Sequence, residues 1–319
     1  MSDCDDHAAP ASDIQLSSAR LSSRGEVDRS SQDEGGTTTS CEGGAVADTK
    51  TVVPDNNDSL PAMVVGRWVT EEKHQIIKRY IDASWGARQK FTTQRTYIDL
   101  FAGTGRVQVK HTSIFSDGGP LAAWTMSQQR RGTFSHFFVA DANPEYLAAC
   151  DERLRKLGAP VQSVAGRADQ TIDWVIPQLD RRGLHLALLD PFNAGHLHFT
   201  IIEKLASMPS IDIVVHLSTG DIQRNIASGL ESERSSLDDF APGWRQIVRQ
   251  QASKHEMRDA FVDYWKTLVS KTGLRVCDTM YPVRNSKDSI MYWLCLLARH
   301  DLAEKLWREA CNLEGRSLF

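Results

Sequence analysis

The sequence predicts a doubly wound α/β fold, in which a mostly parallel sheet is covered by helices on both faces. Three observations lead to this prediction: short segments rich in apolar residues alternate with helical ones, these segments are mainly apolar on both faces, and glycines or polar residues follow them directly. Continuous apolar strands are typical of parallel sheets, and strands alternating with helices favour crossover connections. Ligands of such folds bind beyond the carboxyl ends of the strands, so functional residues are expected there.

The elements follow one another in a regular order. A first helix is predicted over 70–85, because Thr70 precedes two glutamates and apolar residues then recur at helical spacing. Strands are predicted at 96–101, 136–140, 161–164, 184–189 and 211–217. The helices between them are predicted at 121–130, 144–157, 168–179 and 200–208, and 106–119 is interpreted as an inserted loop.

The C-terminal part is predicted to add helices and a hairpin. The region 222–272 is helical and polar, which indicates a helical insertion. Two strands are predicted at 274–283 and 289–298, joined by a turn, before a final helix at 301–311. Such a hairpin suits antiparallel strands added at the edge of the sheet.

The charge of the chain is concentrated in its first 62 residues. They contain 12 acidic and 4 basic residues, whereas the remainder contains 29 and 33. Because this segment has few aliphatic residues and no aromatic ones, we expect it to be a disordered acidic segment, with one α/β domain over 63–319. Met63 stands where the composition changes and is a possible start of the protein. An acidic segment can also serve as an interaction or autoinhibitory arm.

The sequence does not have the features of a membrane-spanning, secreted, cysteine-ligated metal or disulfide-rich protein. No apolar run approaches the roughly 18 residues that span a bilayer, and the acidic first ten residues do not resemble a secretory signal, so a cytoplasmic location is expected. The six cysteines are scattered without a C-x-x-C pair, so neither a metal site nor a disulfide framework is expected. Cys150, Cys277 and Cys295 are predicted to be buried as small hydrophobic residues.

A glycine-containing segment, DLFAGTG at 99–105, follows the first predicted strand. It lacks the third glycine of a dinucleotide fingerprint, because Gln108 stands there, and it lacks the lysine of a P-loop. Its D-x-F-x-G-x-G pattern resembles the first motif of S-adenosylmethionine-dependent methyltransferases. The resemblance implies a set of cofactor-binding residues: Asp99, Phe101, Ala102, Gly103 and Gly105.

Two further acids match positions of that class. An acid at the end of the second strand accepts hydrogen bonds from the ribose hydroxyls in these enzymes, and Asp141 stands at this position. Asp169 matches the position that contacts the adenine. A purely structural interpretation of Asp169, as an acid favoured by the helix dipole, is equally open.

The segment Asp190-Pro191-Phe192-Asn193 follows the fourth predicted strand. It resembles the D/N-P-P-Y/F tetrad of amino-methyltransferases, in which the acid or amide accepts hydrogen bonds from an exocyclic amine and the aromatic ring stacks on the base. The resemblance implies Asp190, Pro191 and Phe192 as catalytic residues. The chain departs from the tetrad, since Phe192 replaces the second proline and Asn193 the aromatic residue. The alternative is that Pro191 ends the strand and Phe192 packs.

Taken together, the motifs are similar to those of the three-Cys-motif partner family (TcmP). The similarity rests on Trp68 with Lys73, the segment 97–105, Gly119-Pro120-Leu121, Asp190-Pro191-Phe192 and Arg224. It covers the chain from about Met63 onward. It implies a bacterial protein with a methyltransferase-like fold and a partner protein that carries a three-cysteine motif.

Two other groups of residues suggest weaker alternatives. Three histidines near Asp190 could indicate a metal but are more typical of polar loops: His185, His196 and His198. The helical insertion offers residues for phosphates and a base, or simply a solvated helix face: Arg224, Trp244, Arg245 and Arg249.

Three functional hypotheses are compatible with the sequence. The first is a methyltransferase that uses S-adenosylmethionine and acts on a nucleic-acid base or nucleotide, together with a partner. The second is a catalytically inactive subunit of a bacterial defence or modification complex that binds through the same fold. The third is a nucleotide-processing enzyme that uses the sheet without S-adenosylmethionine.

Overall fold

The structure, a computed structural model, describes residues 51–91, 93–249 and 253–312. Its strands are β1 (Val52–Pro54), β2 (Pro61–Val65), β3 (Arg95–Asp99), β4 (Arg106–Val109), β5 (Phe115–Asp117), β6 (His136–Asp141), β7 (Val161–Ala165), β8 (Leu184–Leu189), β9 (Ile211–Leu217), β10 (Arg275–Val276), β11 (Tyr281–Arg284) and β12 (Ile290–Ala298). Its α-helices are α1 (His74–Ala83), α2 (Trp85–Lys90), α3 (Gly119–Gln128), α4 (Pro144–Lys156), α5 (Ala168–Val175), α6 (Phe199–Ala206), α7 (Thr219–Glu231), α8 (Leu237–Phe240), α9 (Lys254–Lys271) and α10 (Asp301–Cys311).

The main sheet has the strand order β10-β12-β9-β8-β3-β6-β7, and β11 also pairs with β12. The five strands from β9 to β7 are parallel, whereas β12 runs antiparallel to its neighbours. The chain proceeds from β3 to β6 and β7 on one side, then returns to β8 and β9 on the other. The predicted Rossmann-like, doubly wound fold is therefore confirmed, and its switch point lies between β3 and β8.

Hydrophobic cores cover both faces of this sheet. Alternation along β3 sends Ile98 to one core and Tyr97 to the other. The first core contains side chains of α5, α6, α7 and α9, and the second contains side chains of α1, α3, α4 and α10. The predicted burial of Cys150, Cys277 and Cys295 is also observed. None of the helices in the described ranges combines the length and the apolar character needed to span a bilayer.

The predicted strand at 274–283 is wrong in its extent. The segment forms two short strands, β10 and β11, which both pair with β12. Residues 277–280 separate them outside the assigned strands, although the amide of Cys277 still donates to the carbonyl of Leu296 on β12 at 2.9 Å. The helical region predicted at 222–272 contains α7, α8 and α9.

The first helix begins differently from the prediction. A π-helical turn, Val69–Lys73, precedes α1 directly. The hydroxyl of Thr70 donates to the carbonyl of Arg67 instead of capping the helix. This turn places Lys73 and His74 in buried positions.

A second sheet of four strands, in the order β1-β2-β4-β5, was not predicted. The interpretation of 106–119 as a loop is wrong, because β4 and β5 lie within it. The domain boundary predicted at Met63 is too late, because β1 and part of β2 belong to the fold. Residues 1–50 lie outside the described residues, so disorder there stays a prediction.

Two buried ion pairs explain why an acidic segment is folded here. Asp55 accepts a hydrogen bond of 2.8 Å from Arg106. Asp58 accepts two bonds, of 2.7 and 2.8 Å, from the guanidinium of Arg153. Arg106 and Arg153 are distant in sequence from Asp55 and Asp58. From composition alone, the two acids were therefore assigned to the acidic segment that was expected to be disordered.

Candidate active site

The glycine loop follows β3 and adopts a conformation that requires glycine at two positions. Gly103 and Gly105 have φ angles of +58° and +74°, in the left-handed region that other residues enter at a cost. A Cβ atom on Gly105 would lie 2.7 Å from Leu121 Cδ1 and 3.2 Å from the Cα atom of Cys150. The loop therefore packs closely against α3 and α4.

Asp141 connects the end of β6 to this loop. Its Oδ2 atom accepts a hydrogen bond of 2.8 Å from the amide of Gly103, and its Oδ1 atom accepts one of 2.8 Å from the amide of Asn143. A carboxylate has about four acceptor sites. Asp141 can therefore hold the loop and still accept further hydrogen bonds.

Asp99 is buried at the end of β3 and shapes the turn into the loop. Its Oδ1 atom accepts from the amide of Phe101 at 3.0 Å, and its Oδ2 atom lies 3.3 Å from the hydroxyl of Tyr97. Burial raises the pKa of Asp99 to about 7, although the bond from Phe101 opposes this shift. In this structure, Asp99 thus contacts the protein's own loop.

Asp190 lies just beyond β8 and has two nitrogen partners. Lys73 Nζ contacts its Oδ2 atom at 2.5 Å, and His216 Nδ1 contacts its Oδ1 atom at 2.8 Å. The side chains of Lys73 and Asp190 are 7% and 24% exposed. Burial alone would raise the pKa of Asp190, but the charge of Lys73 and the bond from His216 hold it well below its usual value. The centroid of the Tyr292 ring lies 3.8 Å from that of His216.

A cleft of about 280 Å³ lies at the switch point of the main sheet, and Asp99, Asp190 and the glycine loop line it. The glycine loop forms one part of its lining, and the segment 190–192 forms another. Residues of the second sheet line it as well, including Met63, Val65 and Val107. The unpredicted sheet therefore shapes the candidate site directly.

The structure brings most of the sequence-predicted residues together. The cleft is lined by Asp99, Phe101, Ala102, Gly103, Gly105, Asp190, Pro191 and Phe192. Asp141 is not part of this lining, but it accepts a bond from Gly103, which is. Asp169 lies apart in the first turn of α5, where it accepts a bond of 3.0 Å from Arg167. Phe192 is 44% exposed, so part of its side chain is accessible.

Sequence reasoning gave no chemical role to four residues of the cleft: Lys73, His74, His216 and Tyr292. Lys73 entered only through the family resemblance. His216 carried a usable signal, since it is a polar residue near the end of a strand in which Asp212 is the only other polar residue. His74 is fully buried, and burial lowers its pKa to about 3, so it is neutral near pH 7.

Two of the alternatives raised by the sequence were a metal site at the histidines and stacking of a base on Trp244. His185 is buried in β8, and its Nε2 atom lies 3.0 Å from the carbonyl of Asp180. Within the described ranges, no group of three or more His, Cys, Asp or Glu side chains is placed to hold a metal ion. Trp244 is completely buried and donates to Asp238, so the idea that it stacks on a base is wrong.

The comparisons with known proteins identify no family. No protein-family model and no curated protein matches the chain. A solved structure of the O-methyltransferase TomG from Streptomyces achromogenes, in complex with SAM, matches with 11% identity and a TM-score of 0.39, over 70% of this chain and 79% of its own. The O-methyltransferase from Bacillus cereus in complex with SAH matches with 8% identity and a TM-score of 0.41, over 72% and 81%.

The bifunctional kinase-methyltransferase WbdD matches with 12% identity and a TM-score of 0.39 over 72% of this chain. The match spans only 40% of the length of WbdD. At such identities and scores, the function has to be argued from the chain's own residues.

Proposed function

We propose that the chain is a methyltransferase that uses S-adenosylmethionine. The observation that carries this proposal is the 2.8 Å bond from the amide of Gly103 to Asp141 Oδ2. It connects a carboxylate at the end of β6 to a glycine loop at the end of β3. These neighbouring strand ends are where ligands of doubly wound sheets bind.

The residues present fit this cofactor. Gly103 and Gly105 allow the loop its positive φ angles, and both glycines lie in the lining of the cleft. Asp141 keeps acceptor capacity for two ribose hydroxyls, and Asp169 is proposed to contact the adenine. Asp99 fixes the turn below Phe101 and Ala102. When bound, S-adenosylmethionine supplies a methyl group on an already activated sulfonium, so the chain mainly has to orient the acceptor.

For the acceptor, we propose a nucleic-acid base or a nucleotide, received by Asp190, Pro191 and Phe192. The accessible ring of Phe192 supports this proposal, since an exposed aromatic ring can stack on a base. The resemblance to the three-Cys-motif partner family supports a partner protein that carries the cysteine motif.

A second candidate function is a binding subunit that does not catalyse transfer. It is favoured by one observation: both carboxylate oxygens of Asp190 already contact nitrogen atoms, those of Lys73 and His216. This candidate predicts a stable complex with nucleic acid or with the partner protein, and no methylated product.

The test is isothermal titration of S-adenosylmethionine and S-adenosylhomocysteine into the full chain. We expect both to bind, and we expect Asp141→Ala to weaken binding at least tenfold. Asp151→Ala is the matched control, because Asp151 lies on α4 and pairs with the exposed Arg155. If neither compound binds to well-folded protein, the methyltransferase proposal fails. If both bind but no methylated product forms from nucleic acid or nucleotides with the partner present, the binding-subunit candidate gains support.

A further inference from the structure

Lys73 and Asp190 form the closest ion pair in the cleft. The ammonium of Lys73 lies 2.5 Å from one carboxylate oxygen, and His216 Nδ1 lies 2.8 Å from the other. The two partners of Asp190 come from the π-helical turn and from β9, so three separate segments converge on this carboxylate. The fold thus holds Asp190 between two nitrogen donors.

This arrangement is poorly suited to receiving an amine at Asp190. An exocyclic amine donates hydrogen bonds and therefore needs an acceptor with a negative charge or free lone pairs. Asp190 keeps lone pairs beyond those that Lys73 and His216 use, but its charge is already balanced by Lys73. A substrate amine that used those lone pairs would lie beside the Lys73 ammonium.

The same arrangement suits an oxygen anion at Lys73. An ammonium has three N–H donors, and among the described residues Lys73 uses one, for Asp190. The other cation that lines the cleft, Arg106, is held by Asp55 and Asp117 at 2.8 and 2.9 Å. Arg106 also keeps N–H donors, but two carboxylates pair with its guanidinium, whereas one pairs with Lys73. Lys73 is therefore the cation of the cleft with fewer acidic partners.

We infer that the Lys73 ammonium binds an anionic oxygen in this cleft, a carboxylate or an ionised hydroxyl, and that Asp190 is the counter-ion that positions it. This inference deepens the proposed function, on which it rests for the identity of the site. It directs the search for an acceptor toward acidic oxygen groups, including those carried by a modified nucleotide, and away from exocyclic amines.

A carboxylate at Lys73 has two possible sources. It belongs either to the acceptor or to the methionine part of the proposed cofactor. The two sources are distinguishable, because the first leaves Lys73 accessible when S-adenosylhomocysteine is bound and the second does not.

The test uses the full chain with benzoate and aniline, which share a ring and differ in the group it carries. Binding is followed by the amide NMR signals of the glycine loop, with and without saturating S-adenosylhomocysteine. Lys73→Met removes the cation and Lys73→Arg keeps it. Lys90→Met, at the exposed end of α2, is the control. If Lys73→Met does not fold, the double variant Lys73→Met/Asp190→Asn removes both charges together.

We expect benzoate to shift these signals, aniline to leave them unchanged, and removal of the Lys73 charge to weaken benzoate binding at least tenfold. The Lys73→Arg variant should keep most of the affinity for benzoate. Displacement of benzoate by S-adenosylhomocysteine assigns the carboxylate to the cofactor, and simultaneous binding assigns it to the acceptor.

The inference is overturned if benzoate does not bind, if its binding survives loss of Lys73, or if aniline binds instead. Failure of S-adenosylhomocysteine alone to bind overturns the proposed function and leaves the benzoate result standing.

Discussion

The guanidinium of Arg153, on α4, donates a hydrogen bond of 2.7 Å to the carbonyl oxygen of Thr104 inside the glycine loop. The same side chain contacts Asp58 through two nitrogen atoms and the carbonyl of Pro61 at 2.8 Å. It is 3% exposed. One buried arginine therefore joins α4, the second sheet and the loop of the candidate site.

Replacing Arg153 with methionine should destabilise the protein strongly. The substitution removes the donor that bonds the carboxylate of Asp58 and three backbone carbonyls, and breaking a buried pair costs on the order of 3–5 kcal/mol. The measurement is the free energy of unfolding in urea. Arg155→Met is the control, because Arg155 forms an exposed pair on the same helix that contributes less than about 1 kcal/mol. Equal effects of the two substitutions would contradict the structural role of Arg153.

Shortening the chain to begin at Met63 should also destabilise it. The truncation removes β1, Asp55 and Asp58, and with them the carboxylates that pair with two arginines. We expect a lower unfolding midpoint than that of a chain beginning at Thr51, measured by thermal denaturation of both. The same midpoint for both chains would indicate that residues 51–62 are not part of the stable fold.

Sequence reasoning succeeded where structure is local. The strands β3, β6, β8 and β9 are mainly apolar, and the glycine loop follows one of them. The hydrophobic pattern and the turn residues were therefore sufficient to predict them. The second sheet was missed because its strands are only three to five residues long, and its ion pairs connect distant segments.

The chemistry of the cleft was missed for the same reason. Lys73 and Asp190 are 117 residues apart, and no local pattern indicates that they meet. The position of Asp190 was predictable, since it follows an apolar strand. Its partners were not, because they depend on how the π-helical turn packs against the sheet.

Gly105→Ala should destabilise the protein, whereas Gly86→Ala should not. The alanine at position 105 would have a φ angle of +74° and a Cβ atom close to Leu121 and Cys150. The left-handed conformation alone costs about 1–2 kcal/mol. Gly86 lies in α2, with no atom within 4 Å of the added Cβ, where alanine is favoured by roughly 0.5–1 kcal/mol. Urea denaturation of both variants tests this, and a neutral Gly105→Ala would refute the close packing of the loop.

Asp99 should make the protein less stable as the pH rises. Because its folded-state pKa is about 7, Asp99 stays protonated in the folded protein at pH values where the unfolded chain, with a pKa near 4, has already ionised. Its stabilisation is therefore fully present below about pH 4 and is lost as the pH rises through about 7.

The corresponding experiment compares Asp99→Asn with the unsubstituted chain from pH 4 to pH 8. A pKa difference of about 3 units corresponds to roughly 4 kcal/mol, so the variant should gain about this much relative stability across the range. The comparison cancels the contribution of Asp212, whose pKa burial raises to about 6. A constant difference between the two proteins would mean that Asp99 ionises normally.

Lys73 and Asp190 should be energetically coupled, and this coupling should weaken as the pH falls, whereas the stabilisation by Asp99 is lost as the pH rises. At pH 7, Lys73→Met leaves a largely buried carboxylate with His216 as its remaining partner, and Asp190→Asn leaves a buried ammonium without its counter-ion. The losses in free energy of unfolding caused by the two single substitutions should add up to more than the loss caused by the double substitution, as expected for coupled neighbours.

Because Lys73 and His216 hold the pKa of Asp190 well below its usual value, its stabilisation is present above about pH 4 and is lost as the pH falls through the depressed value. A double-mutant cycle measured by urea denaturation at pH 7 should therefore give a coupling energy of at least about 1 kcal/mol. The coupling should decrease when the cycle is repeated in acid, where the carboxyl begins to take up a proton. A coupling energy of zero at pH 7 would indicate that solvent screens the pair. The cleft would then lack the fixed cation on which binding of an anionic oxygen depends.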